Sequence, residues 1–269
     1  VIRFTAHRLL DPVALPGRAL LKILVLALLA LTPSYAEPRQ GGGENGGGEQ
    51  PAGYRAIRIE QGGSLTGRVL AHDPPPPYGD LPVTRDGKIC GERIADERLI
   101  VASDGGVMNA VVSIEGITEG KAIDTLQRPR LENTGCRFRP HVQTVSVGQK
   151  LEIFNGDPLL HNTHAKMGGT TTVFNIALPF QNHKIPKLIR EPGTMKVVCD
   201  AGHAWMSAWV AAFSHPYHAV TKEDGTFVID GIPPGSYRVK AWHEELGSQL
   251  LEVTVGRAPT AISFSDLAR

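Results

Sequence analysis

An all-β fold is what this sequence predicts, and three observations lead there. Beyond residue 53 apolar and polar residues alternate in short runs, the period of a half-buried strand. Those runs are separated by Gly and Pro, of which the chain holds 30 and 20, the residues that turn a chain and interrupt β-ladders. Apolar residues at helical spacing are nearly absent over the same stretch.

Taken in order, residues 1–36 read as a secretion signal. Arg3, Arg8, Arg18 and Lys22 supply positive charge, residues 23–31 are an unbroken apolar run, and Ser34, Tyr35 and Ala36 offer small residues at a cleavage site. The run is too short to span a bilayer, which takes about 20 residues, and no second spanning candidate follows. The protein is therefore expected to be periplasmic or secreted. Without residues 1–36, Lys+Arg falls from 28 to 24 and Asp+Glu from 27 to 26. That near-neutral balance lacks the basic footprint nucleic-acid binding needs. Residues 37–53, which include Gly41-Gly-Gly-Glu-Asn-Gly-Gly-Gly48, read as a flexible, disordered tether.

Strand patterns follow at residues 65–69 and 109–114, with Asp73-Pro-Pro-Pro-Pro77 between them as a loop or an edge. Residues 150–154 alternate, with Leu151 and Ile153 on one face. Gly156, Asp157 and Pro158 end that strand and open a loop bearing His161, Asn162 and His164. Residues 181–190 are expected to hold a short turn. After the apolar run 195–198 comes Cys199-Asp-Ala-Gly-His203-Ala-Trp-Met206. A thiolate, an imidazole and a thioether so close together form the ligand set copper favours. The motif lacks the paired cysteines of zinc ribbons and thioredoxin-like sites. A fourth ligand has to come from another strand, and His161 and His164 are both candidates. Singly, a buried Cys or Met is ordinary core filler; the combination is what points to a metal.

Phe138-Arg-Pro140, Val145-Ser-Val-Gly148, His161-Asn162 and then Cys199, His203 and Met206, in that order, resemble the cupredoxins, the plastocyanin-like blue-copper proteins, over about residues 135–213. The resemblance implies a Greek-key β-sandwich with one copper ion held by His161, Cys199 and His203 and by Met206 axially, with His164 as the rival upstream ligand. Asn162 would tie the two ligand loops together. The spacing between His203 and Met206 lies at the short end of the family's range. Three cysteines in an exported chain suggest one pair and one free thiol. With Cys199 claimed by the metal, Cys90 and Cys136 are expected to pair. Pairing of Cys136 with Cys199 would destroy the site.

Past the copper loop, Asp224-Gly225-Thr-Phe227 and Pro233-Pro-Gly235-Ser-Tyr237 lead two alternating strands, and residues 250–255 supply a last one. Together with residues 63–70 and 109–116 these resemble the carboxypeptidase regulatory-like domain, a transthyretin-like β-sandwich. The implied architecture is a cupredoxin sandwich inserted in, or packed against, this second small sandwich. Residues 54–130 supply its first strands, 131–213 the cupredoxin, and 214–269 the closing strands. Insertion at a surface loop is easy when the inserted ends lie close together.

His215, His218 and His243, with Glu244, could form a second metal site, although hydrogen-bonded interface histidines are the more common outcome. His141 reads as a loop histidine. Val198 and Asp200 flank Cys199 where a multicopper oxidase has histidines, and a binuclear purple centre needs a second Cys in the loop. No nucleophile elbow, zinc-protease motif or phosphate-binding loop occurs outside the tether. The expected function is single-electron transfer to a protein partner such as a cytochrome or an oxidase, not catalysis. Either His161 or His203 would offer the contact edge, and Trp205 and Trp209 would line the approach. The alternatives are a copper carrier or sensor without a redox role, and a β-sandwich module that binds a protein or glycan.

Overall fold

The computed structural model describes residues 53–268; the expected secretion signal (1–36) and all but the last residue of the expected tether (37–53) lie outside them. The described chain's regular structure is nearly all strand. It opens with β1 (Arg55–Ala56), β2 (Gly63–Val69), β3 (Leu81–Pro82), the one-turn helix α1 (Gly87–Cys90), β4 (Arg93–Ile94), β5 (Val111–Glu115) and β6 (Glu119–Gly120). Its middle holds β7 (Arg130–Asn133), β8 (Phe138–Arg139), β9 (Val142–Ser146), β10 (Lys150–Asn155), β11 (His161–Met167), β12 (Thr171–Leu178), β13 (Lys184–Leu188), β14 (Gly193–Val198) and β15 (Ser207–Phe213). It closes with β16 (His218–Val220), β17 (Thr226–Ile232), β18 (Gly235–His243), β19 (Gly247–Val255) and β20 (Thr260–Phe264).

Two apolar cores organise these strands. The first lies between the sheet β12-β11-β14-β15-β9 and the sheet β13-β10-β7-β8. Alternation decides what enters it. Leu151 and Ile153 of β10 are fully buried while Lys150 points out, and Met195 and Val197 of β14 do the same between exposed Thr194 and Lys196. The second core lies between β16-β5-β18-β19 and β17-β2-β20 and is filled by Leu65, Ile114, Phe227, Val239 and Phe264. The chain begins the second sandwich with β2 and β5, builds the first with β7 to β15, and returns to finish the second.

Several local expectations change. The expected turn in residues 181–190 is confined to Gln181 and Asn182, and residues 184–188 form an edge strand paired with β10. The final strand is β20, which runs parallel to β2, so residues 250–255 are not the last. Asn109 sits at φ 64, outside the strand that begins at Val111. The segment β3-α1-β4 falls within the part expected to serve the second sandwich, yet Leu81, Val83, Cys90 and Ile94 pack against the first core. A disulfide between Cys90 and Cys136, with Cα atoms 5.4 Å apart, ties this strap down.

Val111, Val142 and Ala211, with Trp209, Phe213, Val220 and Trp242 around them, join the two sandwiches. The His141 imidazole meets the Glu244 carboxylate across that junction, both side chains buried. The Trp209 indole N–H donates to the other Glu244 oxygen at 2.8 Å.

The turn before β17 depends on Gly225. It sits at φ +77, where a Cβ would come within 2.5 Å of the Val69 carbonyl oxygen and 2.8 Å of the Val107 nitrogen. Gly225→Ala is expected to lower stability by about 3 kcal/mol, combining left-handed strain with backbone collision. Denaturant unfolding of the two proteins side by side measures it.

Candidate metal centre

Cys199 follows directly on β14, and its thiol is buried and free. The turn after it passes through Gly202 at φ +96, which brings His203 back toward the sulfur. His161 opens β11 on the neighbouring strand. Alternation along β11 buries His161, Thr163 and Ala165 on the core side and places Asn162 and His164 on the opposite side.

The His203 Nδ1 lies 3.5 Å from Cys199 Sγ, and the His161 Nδ1 lies 3.9 Å from it. The two imidazole rings meet edge-on at 4.8 Å between centroids. Both histidines are 0 % exposed. Each spends its other nitrogen on a carboxylate, His161 Nε2 on Asp157 at 2.8 Å and His203 Nε2 on Asp86 at 2.9 Å. A proton held at Nε2 by the carboxylate leaves a lone pair at Nδ1, and both Nδ1 atoms face the thiol. Met206 is buried in the same core, and its N–H donates to the His203 carbonyl at 2.9 Å.

Fixed groups surround this arrangement. The Asp157 carboxylate also accepts the N–H groups of Gly135 and Cys136, each at 2.8 Å. Burial works against its charge, but the His161 hydrogen bond and those two donors outweigh it, and its pKa is lowered. Burial likewise opposes charge on His161, yet Asp157 and Cys199 prevail and its pKa is raised. The Asn162 N–H donates to Cys199 Sγ at 3.3 Å, and the Asn162 side-chain oxygen accepts the Asp200 N–H at 3.2 Å. Asn162 therefore links the start of β11 to the Cys199–Asp200 segment.

His161, Cys199 and His203 form a group of ligand atoms lying within 4.8 Å of one another. A second such group contains Cys136, but that sulfur is committed to Cys90. The 3.5 and 3.9 Å separations suit two donors sharing one first-row metal at bond lengths of about 2.0–2.3 Å. The soft thiolate with two imidazoles matches copper. His164, the rival ligand, is held elsewhere, with Nδ1 2.5 Å from Asp200 and Nε2 2.7 Å from Thr172.

The expected exposed imidazole edge is missing. Asp86 and Arg85 of the strap cover it, and Arg85 lies so close over Gly202 that a Cβ there would come within 2.8 Å of its guanidinium. Trp205 stands 5.2 Å from the His203 ring and donates its indole N–H to the Cys136 carbonyl at 3.0 Å. The sequence reading missed Asp86, which is 117 positions from His203 and carries no local signal. Asp157 reads in the sequence as a strand breaker, and its place four residues before His161 is the local signal of the contact between them.

No family model matches the chain, and no curated protein matches it. Solved structures do. A purple cupredoxin from Nitrosopumilus maritimus is 19% identical over 31% of this chain and 98% of its own, with a TM-score of 0.27. Amicyanin from Paracoccus versutus is 14% identical over 43% and 92%, with a TM-score of 0.29. A Cu-containing nitrite reductase from Thermus scotoductus is 18% identical over 35% of this chain but only 24% of its own length, with a TM-score of 0.28. At such scores the chemistry of this chain has to be read from its own side chains.

The second histidine cluster does not converge. Among the described residues no metal-type group includes His215, His218 or His243. His218 stacks on Phe213 and contacts Ser146 at 3.0 Å, His215 accepts the Tyr217 N–H, and His243 accepts from Glu245 and Leu246 at the end of β18. Burial pushes His215 and His243 down to about 4 and His218 to about 3. All three are neutral when folded but protonate near 6.5 when unfolded. Their contribution to stability is complete above pH 6.5 and is lost as pH falls toward 4 and below. His161, with its raised pKa, acts in the opposite sense. Stability is expected to drop between pH 6.5 and 4 by on the order of 2–3 kcal/mol per imidazole. Denaturant midpoints across that range test this, and His218→Phe should flatten the curve.

Proposed function

We propose that this chain is an exported copper-binding protein that carries single electrons between redox partners and is not itself a catalyst. His161, Cys199 and His203 would hold one copper ion, with the Met206 thioether as a fourth, weaker ligand. One observation carries the reading: both imidazoles are clamped at Nε2 by carboxylates, so that their Nδ1 lone pairs converge on a free buried thiol at 3.5 and 3.9 Å. Copper bound there would supply a one-electron couple.

The protein's own contribution is preorganisation. Asp157 and Asp86 fix the two rings, the Asn162 N–H stabilises sulfur charge, and the Cys90–Cys136 disulfide anchors the strap that carries Asp86. A site whose ligands hardly move costs little rearrangement when an electron arrives. The carrier alternative needs ready exchange of metal, which two fully buried imidazoles under a tethered strap oppose. Val198 and Asp200 beside Cys199 leave no histidine bridge to further coppers, which supports a carrier of electrons over an oxidase. The second sandwich, with its Asp224-Gly225 turn and Pro233-Pro-Gly235 lead into β18, is read as transthyretin-like.

Adding cupric ion to the purified chain is expected to give an intense visible thiolate-to-copper band at one ion per chain, with a matching paramagnetic-resonance signal. Cys199→Ser should abolish the band and weaken copper by more than about 100-fold, since even outer residues at such sites account for 10–100-fold. Unchanged affinity in that variant would remove the basis of the proposal.

Asp86→Ala tests the clamp separately. Freed of its carboxylate, His203 should bind copper about 10-fold or more weakly while the visible band persists. Competition against a chelator reads the change.

A further inference from the structure

The outer faces of the two sandwiches enclose an open cleft of about 480 Å³, within the size range of small-molecule sites and at a junction of layers where such sites concentrate. Its base is aromatic. Trp209 and Trp242 meet edge to face at 5.2 Å, and Phe213 lies beside them. The Trp209 indole N–H is spent on Glu244, which fixes the plane of that ring.

Its rim is cationic. Lys166 of β11 and Lys196 of β14 are direct cross-strand partners, and Lys240 of β18 reaches in from the facing sheet. Like charges placed directly opposite in a ladder destabilise it, and no carboxylate pairs with these lysines among the described residues. The one acidic residue lining the cleft, Glu115, accepts a hydrogen bond from Ser113 at 2.9 Å. The Lys196 ammonium sits 5.6 Å over the Trp209 ring, so one face of the aromatic base is already met by a cation.

We propose that this cleft binds a small aromatic carboxylate, its ring against Trp209 and Trp242 and its acid group between Lys196, Lys166 and Lys240. Flat rings stack or meet edge-on with indoles, and a carboxylate would offset the facing lysine pair through charge-assisted hydrogen bonds. A neutral glycan fits less well, because it carries no charge to offset the three lysines. The site depends on none of the metal-facing side chains, and success or failure of copper binding leaves it untouched.

Isothermal titration of the full chain with benzoate, followed in parallel by tryptophan fluorescence, tests the proposal. Saturable binding is expected with a dissociation constant below about 1 mM, at least about tenfold tighter than for benzyl alcohol. Lys196→Gln, a change on an exposed side chain, should weaken benzoate at least about fivefold, and Trp242→Phe, which keeps a ring in the junction, should weaken it less than Trp242→Ala. No saturation up to about 10 mM, equal affinity for the alcohol, an unchanged Lys196→Gln, or glucuronate binding more tightly than benzoate would each overturn it.

Discussion

Everything at the candidate metal centre depends on two carboxylates gripping two imidazoles from behind. A histidine buried without a partner drifts in orientation and tautomer. Asp157 and Asp86 remove that freedom, and each leaves the Nδ1 lone pair as the only unspent polar function of its ring. The carboxylates are in turn anchored differently. Asp157 rests on two backbone N–H groups inside the first sandwich. Asp86 rides on a strap that the Cys90–Cys136 disulfide and the packing of Leu81 and Ile94 hold against the same core.

For the proposed electron-transfer role, this arrangement changes how electrons would enter. An exposed imidazole edge is a simple port, and here neither ring reaches solvent. The outermost group in line with His203 is the half-exposed Asp86, flanked by Arg85 at 3.5 Å. Contact with a partner would therefore run through the strap. The segment that preorganises the ligand is also the surface a partner would meet.

The second sandwich is coupled to the first by a small set of strong contacts. His141 and Trp209 from the first both converge on Glu244 from the second, and the apolar cluster around Val111, Val142 and Ala211 closes the junction. Hydrogen bonds are directional, so two of them converging on one buried carboxylate fix the relative orientation of the elements they join. A fixed orientation is what lets the outer faces of β14, β15 and β18 form a cleft with a defined shape.

Strand period, turn residues and ligand chemistry are local properties, and they were legible in the sequence. Alternation in residues 150–154 and 63–70 marked real strands, and the order His161, Cys199, His203 identified the side chains that meet. The choice of His161 over His164 was open in one dimension, because both lie on one strand. Only the pleat, which sends odd and even positions to opposite faces, separates them. Short edge strands such as residues 184–188 and 260–264 carried weak signals, since their place depends on a neighbour's register more than on their own composition.

What the sequence determined alone was the candidate ligand set, the all-β character and the spare cysteine pair, all matters of residue type and spacing. What only the tertiary structure decided was which distant groups come to rest on those ligands. Asp86, Glu244, the covered imidazoles and the facing lysines Lys166 and Lys196 arise from strand pairing and sheet packing between segments far apart in the chain. Contacts of that kind leave no periodic trace along the chain, because nothing at either residue's own position records the other.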